Sequence, residues 1–239
     1  MLRAGPTYGD GMRRTIVSGI AAAVLSIALA GCASAGSAPD APASPSASDS
    51  PTAPAAPVST GADAQARLAG LPTPSATEPV LAVGTVLEQD GIAGLCVGFV
   101  AESAPPQCAG MELIDWDWAA FEHQELGGVR WTQGVAIEGT YDAAAQTFTP
   151  TGEPMSAAAI QLPAVETPQG DLDEATIAAV QQDLSTIQDD SSRQDPNLLG
   201  SWGERGTVVL NVTYDDGSVQ AALDDIYGEG VVFVVPALR

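Results

Sequence analysis

The sequence predicts an α+β protein: a disordered tether, then a small antiparallel β-barrel or sandwich (OB-like), then an α-β-α-β unit. Three observations carry that prediction. Large apolar side chains are almost absent between Ala33 and Pro79 and frequent afterwards; the apolar residues that follow form strand-length runs with period two; beyond Pro168 their spacing shifts to three and four. About 160 residues lie beyond Pro79, enough for one domain or two small ones.

The N-terminal segment, residues 1–31, is built like an address. Arg13-Arg14 precede the apolar run Thr15–Ala30, "TIVSGIAAAVLSIALA", which ends in Gly31-Cys32. Such a run falls short of the roughly 20 residues that span a bilayer, and a small-residue exit marks a cleavage site. Leu29-Ala30-Gly31-Cys32 resembles the lipobox of bacterial lipoproteins. The resemblance implies that residues 1–31 are removed and that Cys32 becomes the first residue, its sulfur carrying a diacylglyceryl group. Each buried CH2 contributes about 0.8 kcal/mol, so two acyl chains anchor stably with no basic patch. The expected location is the outer, extracytoplasmic face of the cell membrane. Met1 and Met12 are both candidate start residues, and Met12-Arg13-Arg14 makes the more compact signal.

Residues 32–79 read as a tether. Ala33–Pro79 holds nine prolines among Ala, Ser, Thr and Gly. Such a segment does not recover its ordering entropy and stays a solvated, partly polyproline-like spacer, so its loss is expected to cost little stability.

Residues 80–168 read as a β-rich domain. "VLAVGTVLEQDG" and "LCVGFVAES" are strand-length, the first ending in an Asp-Gly turn signal. In "VRWTQGVAIEGTYDAAAQTFTPTG" the odd positions Trp131, Val135, Ile137 and Tyr141 are apolar and a reversal falls at Asp142–Ala145, a hairpin pattern. Pro163, Pro168 and Gly170 place a boundary near Pro168.

Residues 169–239 read as an α/β domain. Ile177, Val180, Leu184 and Ile187 lie on one helix face, with Asp171 or Asp173 as cap. A strand over Gly206–Gly217 follows, then a helix in "VQAALDDIYG" capped by Ser218 and closed by Gly228, then the apolar run "GVVFVVPAL".

Cys96 and Cys108 lie in the exported part, where a disulfide is the expected state. "GLCVGFVAESAPPQCAGMELIDWDW" and "VTYDDGSVQAALDDIYGEGVVFVVPALR" together resemble a group of actinobacterial lipoproteins and secreted proteins to which no activity is attached. The resemblance implies host type and extracytoplasmic residence and transfers no catalytic residue.

Charge removes whole classes of partner. The chain has no lysine and a formal net charge of -22. Nucleic acid, bound by neutralising its phosphates, is not an expected partner. The expected partners are the membrane, through the lipid anchor, and a protein or envelope polymer. His123, between Glu122 and Glu125, is the one histidine, and neither a GxSxG elbow, SxxK nor HExxH is present. No cofactor, nucleotide or metal is expected: the ligand spacings and glycine-rich cradles they require are missing. Asp115 and Asp117 alternate with Trp116 and Trp118, so a carboxylate-based glycan hydrolase is the alternative to a non-enzymatic binding module. On that alternative the rings would stack on sugar; on the plainer reading they are core and the aspartates face water. A solute-binding lipoprotein is disfavoured, because the folded part is small for two lobes closing on a ligand.

Overall fold

The computed structural model describes residues 57–189 and 197–239. The signal segment, Cys32 and the tether as far as Ala56 lie outside the described residues.

The β-rich half is a closed, OB-like barrel. β1 (Ala76–Gln89), β2 (Ile92–Cys96), β3 (Met111–Leu113), β5 (Val129–Asp142) and β6 (Thr147–Pro150) run in the order β1-β2-β3-β6-β5, and β5 returns to pair β1. The barrel is mixed, not antiparallel throughout, because β3 and β6 are parallel. That one parallel pair between the third and last barrel strands, with β1 shared by two neighbours, closes five strands without a free edge. β4 (Gln124–Leu126) and the two-residue β7 (Met155–Ser156) add to β5 outside the ring.

Local chemistry explains the joints. Asp90 and Gly91 both take positive φ between the paired residues Gln89 and Ile92, the two-residue turn that the Asp-Gly signal predicts. The β5–β6 reversal uses the Asp142 carboxylate, which accepts the N–H groups of Ala144 and Ala145. β1 bends at a register shift between Gly84 and Val86. A Cβ at Gly84 would run into the carbonyl of Cys96, so only glycine lets β1 approach the end of β2 there. Val86, Leu95, Val135, Ile137 and Phe148 fill the interior, as their alternation requires.

The second half is a three-stranded sheet, β10-β9-β8, with helices. α2 (Glu174–Asp189) is capped by Asp173, whose carboxylate accepts the N–H of Thr176. Two strands follow where the sequence indicated one. β8 (Leu198–Glu204) and β9 (Thr207–Val212) are joined by Arg205-Gly206, both at positive φ. β8 escapes a pattern search because "LLGSWGE" has two glycines and no alternation. α3 (Ser218–Tyr227) leads to β10 (Val232–Pro236), parallel to β9. Ser218 is the first residue of α3 and not its cap. Asp215 does that work, its carboxylate accepting the N–H groups of Val219 and Gln220, while Gly228 closes the helix as predicted.

The spacer expected to run to Pro79 gives way to structure well before it. α1 (Ala62–Leu68) lies inside it, and β1 begins at Ala76. Ala64 and Leu68 sit one helical turn apart and are buried in the core of the second half, with Val58 and Leu71 packed beside them. Few large apolar residues suffice when their spacing gives one face, and composition averages that spacing away.

The halves also exchange core residues. α1, which precedes the barrel, completes the core of the α/β half, whereas Leu238 at the C-terminus is buried in the barrel core. Leu81 and Arg239 exchange backbone hydrogen bonds, which ties the C-terminus to β1. Both cores belong to one compact unit.

Candidate functional site

The most exposed large apolar side chain among the described residues is Phe99, 83% exposed, on the loop after β2. That loop is a stapled finger. A Cys96–Cys108 disulfide closes its base, the pairing the sequence led us to expect. Ala101 bridges to Gln107, the Ser103 hydroxyl donates to the Pro105 carbonyl at 2.8 Å, and the Gln107 amide donates to the Ser103 hydroxyl at 3.4 Å. Gly98 packs against the side chain of Leu199 on β8. The finger therefore holds Phe99 in water on a backbone whose ordering cost is already met by covalent and polar ties.

A recess lies on either side of Cys108. One, of about 490 Å3, is lined by Gly98, Phe99, Gln107 and Ala109 of the finger and by Leu198 and Leu199 of β8. The other, of about 250 Å3, lies on the outer face of β1, β2 and β3, with Leu87, Ile92, Gly94 and Glu112 among its walls. Ile92 is 60% exposed at its rim. Glu112 is the one charged group in either lining. An exposed aromatic on the wall of a shallow recess is an arrangement that suits binding.

The Asp115–Trp118 segment is not a strand. β3 stops at Leu113, Ile114 and Asp115 form a turn with Asp115 at φ 54°, and Trp118–Ala120 is a single 3-10 turn. The two aspartates thus lose the shared face that alternation would have given them. Asp117 is engaged in capping, its carboxylate accepting the N–H of Ala119 at 2.8 Å. Trp118 is buried in the barrel core, with Trp116 half-buried against it and edge-on at 5.8 Å. The Trp118 indole N–H donates to Glu88 Oε2 at 2.6 Å, and the Arg130 guanidinium stands 6.0 Å over its ring and 3.6 Å from Glu88 Oε1. Both rings belong to the wall and interior of the barrel, and neither forms an open stacking platform.

His123 lies against Trp118 with ring centres 5.2 Å apart and planes tilted by 60°, and one ring nitrogen lies 3.2 Å from the Phe121 carbonyl. Among the described residues no three His, Cys, Asp or Glu side chains converge as a metal site, His123, Glu122 and Glu125 included.

A polar site invisible in the sequence is buried in the α/β half. Asp183, 2% exposed on the apolar face of α2, accepts the Gly61 N–H on both carboxylate oxygens, at 2.9 and 3.1 Å, and the Gln65 amide at 2.9 Å. It holds the start of α1. The Tyr227 hydroxyl lies near the Asp183 carboxylate but makes no close hydrogen bond among the described residues. Burial, and then the negative charge of Asp183, push its ionisation well above the ordinary phenol range. Asp183 holds α1 by hydrogen bonds, and Tyr227 packs in the same core as Ala64 and Leu68 of that helix.

No protein-family model, curated protein or solved structure matches this chain. Among the described residues no helix is long and apolar enough to cross a membrane.

Proposed function

We propose that the protein is a lipid-anchored, extracytoplasmic binding module, held at the membrane through Cys32 and engaging a protein or envelope polymer through the finger that bears Phe99. The observation that carries this reading is Phe99 itself. A large aromatic at 83% exposure, on a loop closed by a disulfide and lining a recess, lowers the entropy cost of association and offers a desolvatable anchor. The Leu29–Cys32 motif supports the anchor, and the Cys96–Cys108 bond is compatible with an oxidising compartment. The resemblance to actinobacterial lipoproteins points the same way.

The alternative, an envelope glycan hydrolase using Asp115 and Asp117, has weaker support, because the tryptophans beside them are committed to the barrel and Asp117 to a cap. A photo-reactive amino acid at position 99 tests the choice in intact cells, with position 155 as a second exposed site for comparison. A discrete, saturable crosslink from position 99 alone is expected. Absence of any such crosslink, together with glycan turnover that is lost in Asp115→Asn, would replace the binding module with the hydrolase.

A further inference from the structure

We infer that the recess between the finger and β8 takes an extended, cationic peptide segment with apolar side chains, contributed by a protein partner outside the membrane. This rests on the binding reading above and narrows it to a partner class.

Three features select that chemistry. The first is shape and lining: Phe99, Leu198 and Leu199 supply the apolar contacts, and Gln107 is the polar side chain in the lining. A glycan needs several hydrogen-bonding side chains beside its stacking ring, whereas apolar side chains alternating along a strand need only such recesses.

The second is an open strand edge. The sheet runs β10-β9-β8, so β8 and β10 are its edges. β10 is covered: the Gln220 side chain donates to the Val232 carbonyl and accepts the Val234 N–H, both at 2.9 Å, standing where a further strand would. On β8 the corresponding cover among the described residues is one long bond, from the Gln181 amide to the Ser201 carbonyl at 3.5 Å. The Leu198 end next to the finger carries a bulge between Leu198 and Gly200, which puts Leu199 against Gly98. An extended segment entering there meets a strand edge on one side and Phe99 on the other.

The third is charge. The chain carries -22 with no lysine, and Glu112 is the one charged residue lining the adjoining recess. The net charge disfavours an anionic polymer, whereas a segment with lysine or arginine between its apolar residues is drawn in and its association accelerated.

The test uses the full mature lipoprotein in detergent and three fluorescent octapeptides, alternating Lys-Val, Lys-Ser and Glu-Val, read by polarisation, with an N-acetylglucosamine oligomer as competitor. Lys-Val is expected to bind at least 10-fold more tightly than either other peptide. Phe99→Ser is expected to weaken it at least 10-fold and Glu112→Gln about 3-fold, with Met155→Ser unchanged. Phe99 is exposed, so its variant keeps the fold, which circular dichroism checks. Equal binding of Lys-Val and Lys-Ser, or no effect of Phe99→Ser, overturns the inference. Phe99-dependent binding of the oligomer without Lys-Val binding overturns it while leaving the binding module standing. No probe bound and no crosslink at position 99 in cells overturns both.

Discussion

α1 exists only because it is docked, and replacing Leu68 with alanine tests that statement. A seven-residue helix is unstable alone in water, since nucleation cost exceeds what two turns of hydrogen bonds return. Apolar burial at one end and a buried carboxylate at the other hold it against the α/β half. Leu68, 1% exposed, is buried among the core side chains of that half, and Asp183 binds Gly61 and Gln65 at the other end. The ion pair of Arg67 with Asp225, at 2.8 Å, is surface-exposed and adds at most about 1 kcal/mol. Truncating a fully buried leucine costs about 2–5 kcal/mol, so Leu68 outweighs the ion pair. At roughly 2–4 °C per kcal/mol for a domain of this size, a central loss of about 3 kcal/mol lowers the melting point by about 6–12 °C. Trypsin supplies the local readout, because Arg67 lies within α1 and becomes cleavable when the helix leaves its groove. We expect Leu68→Ala to melt lower and be cut at Arg67 many times faster than wild type, with Arg67→Ala melting near wild type. A melting point within about 2 °C of wild type and an unchanged rate of cleavage at Arg67 would refute docking and restore a passive spacer as far as the start of β1.

Four further outcomes are expected. Cys32→Ala should abolish membrane retention and lipid labelling, checked by fractionation and metabolic labelling, because no other anchor is proposed. Cys96→Ser with Cys108→Ser should cost about 3 kcal/mol by thermal melting, the loop-closure value for a separation of 12 residues, and mass spectrometry of alkylated wild type should find both thiols blocked. Tyr227→Phe removes a buried hydroxyl that makes no close hydrogen bond among the described residues and should be neutral or slightly stabilising at pH 8. The folded phenol ionises later than the unfolded one, so its contribution is intact below about pH 10 and lost as pH rises through the folded value; the melting-point difference should therefore move further toward the Phe variant at pH 11.

How far the sequence carried depended on how local the cause was. The Asp90-Gly91 turn, the odd-position core of β5, the face of α2 and the closing Gly228 are each set by neighbours within a few positions, and each stands where the pattern put it. Three misreadings had non-local causes. β3 and β6 pair in parallel across more than thirty residues, which no hairpin signal reports. β8 is held by β9 and α2 and not by its own apolar alternation. α1 looked like spacer because the groove that makes it a helix is built by residues more than a hundred positions later. The cap of α3 was misplaced by a smaller margin, since Asp215 reaches further into the first turn than Ser218 can from within it.

The site separates along the same line. Cys96 and Cys108 were legible as a pair, twelve positions apart with no other cysteine near them, yet the sequence offered no reason to single out Phe99 between them. Its importance comes from what does not cover it, and absence of cover is a property of the assembled surface. The "DWDW" segment failed in the opposite direction. Strand alternation would have presented two acids together, but the chain leaves the sheet after Leu113, and the turn at Asp115 sends Trp118 inward to Glu88. A buried indole hydrogen-bonded at 2.6 Å cannot be turned out to stack on a sugar without leaving the Glu88 carboxylate short of a partner and opening a cavity of aromatic size in the barrel core, a change worth about 3–5 kcal/mol for the ring alone. The two tryptophans that first drew notice as chemistry are therefore spent on holding the barrel, and Asp115 and Asp117 face water beside them without an aromatic platform.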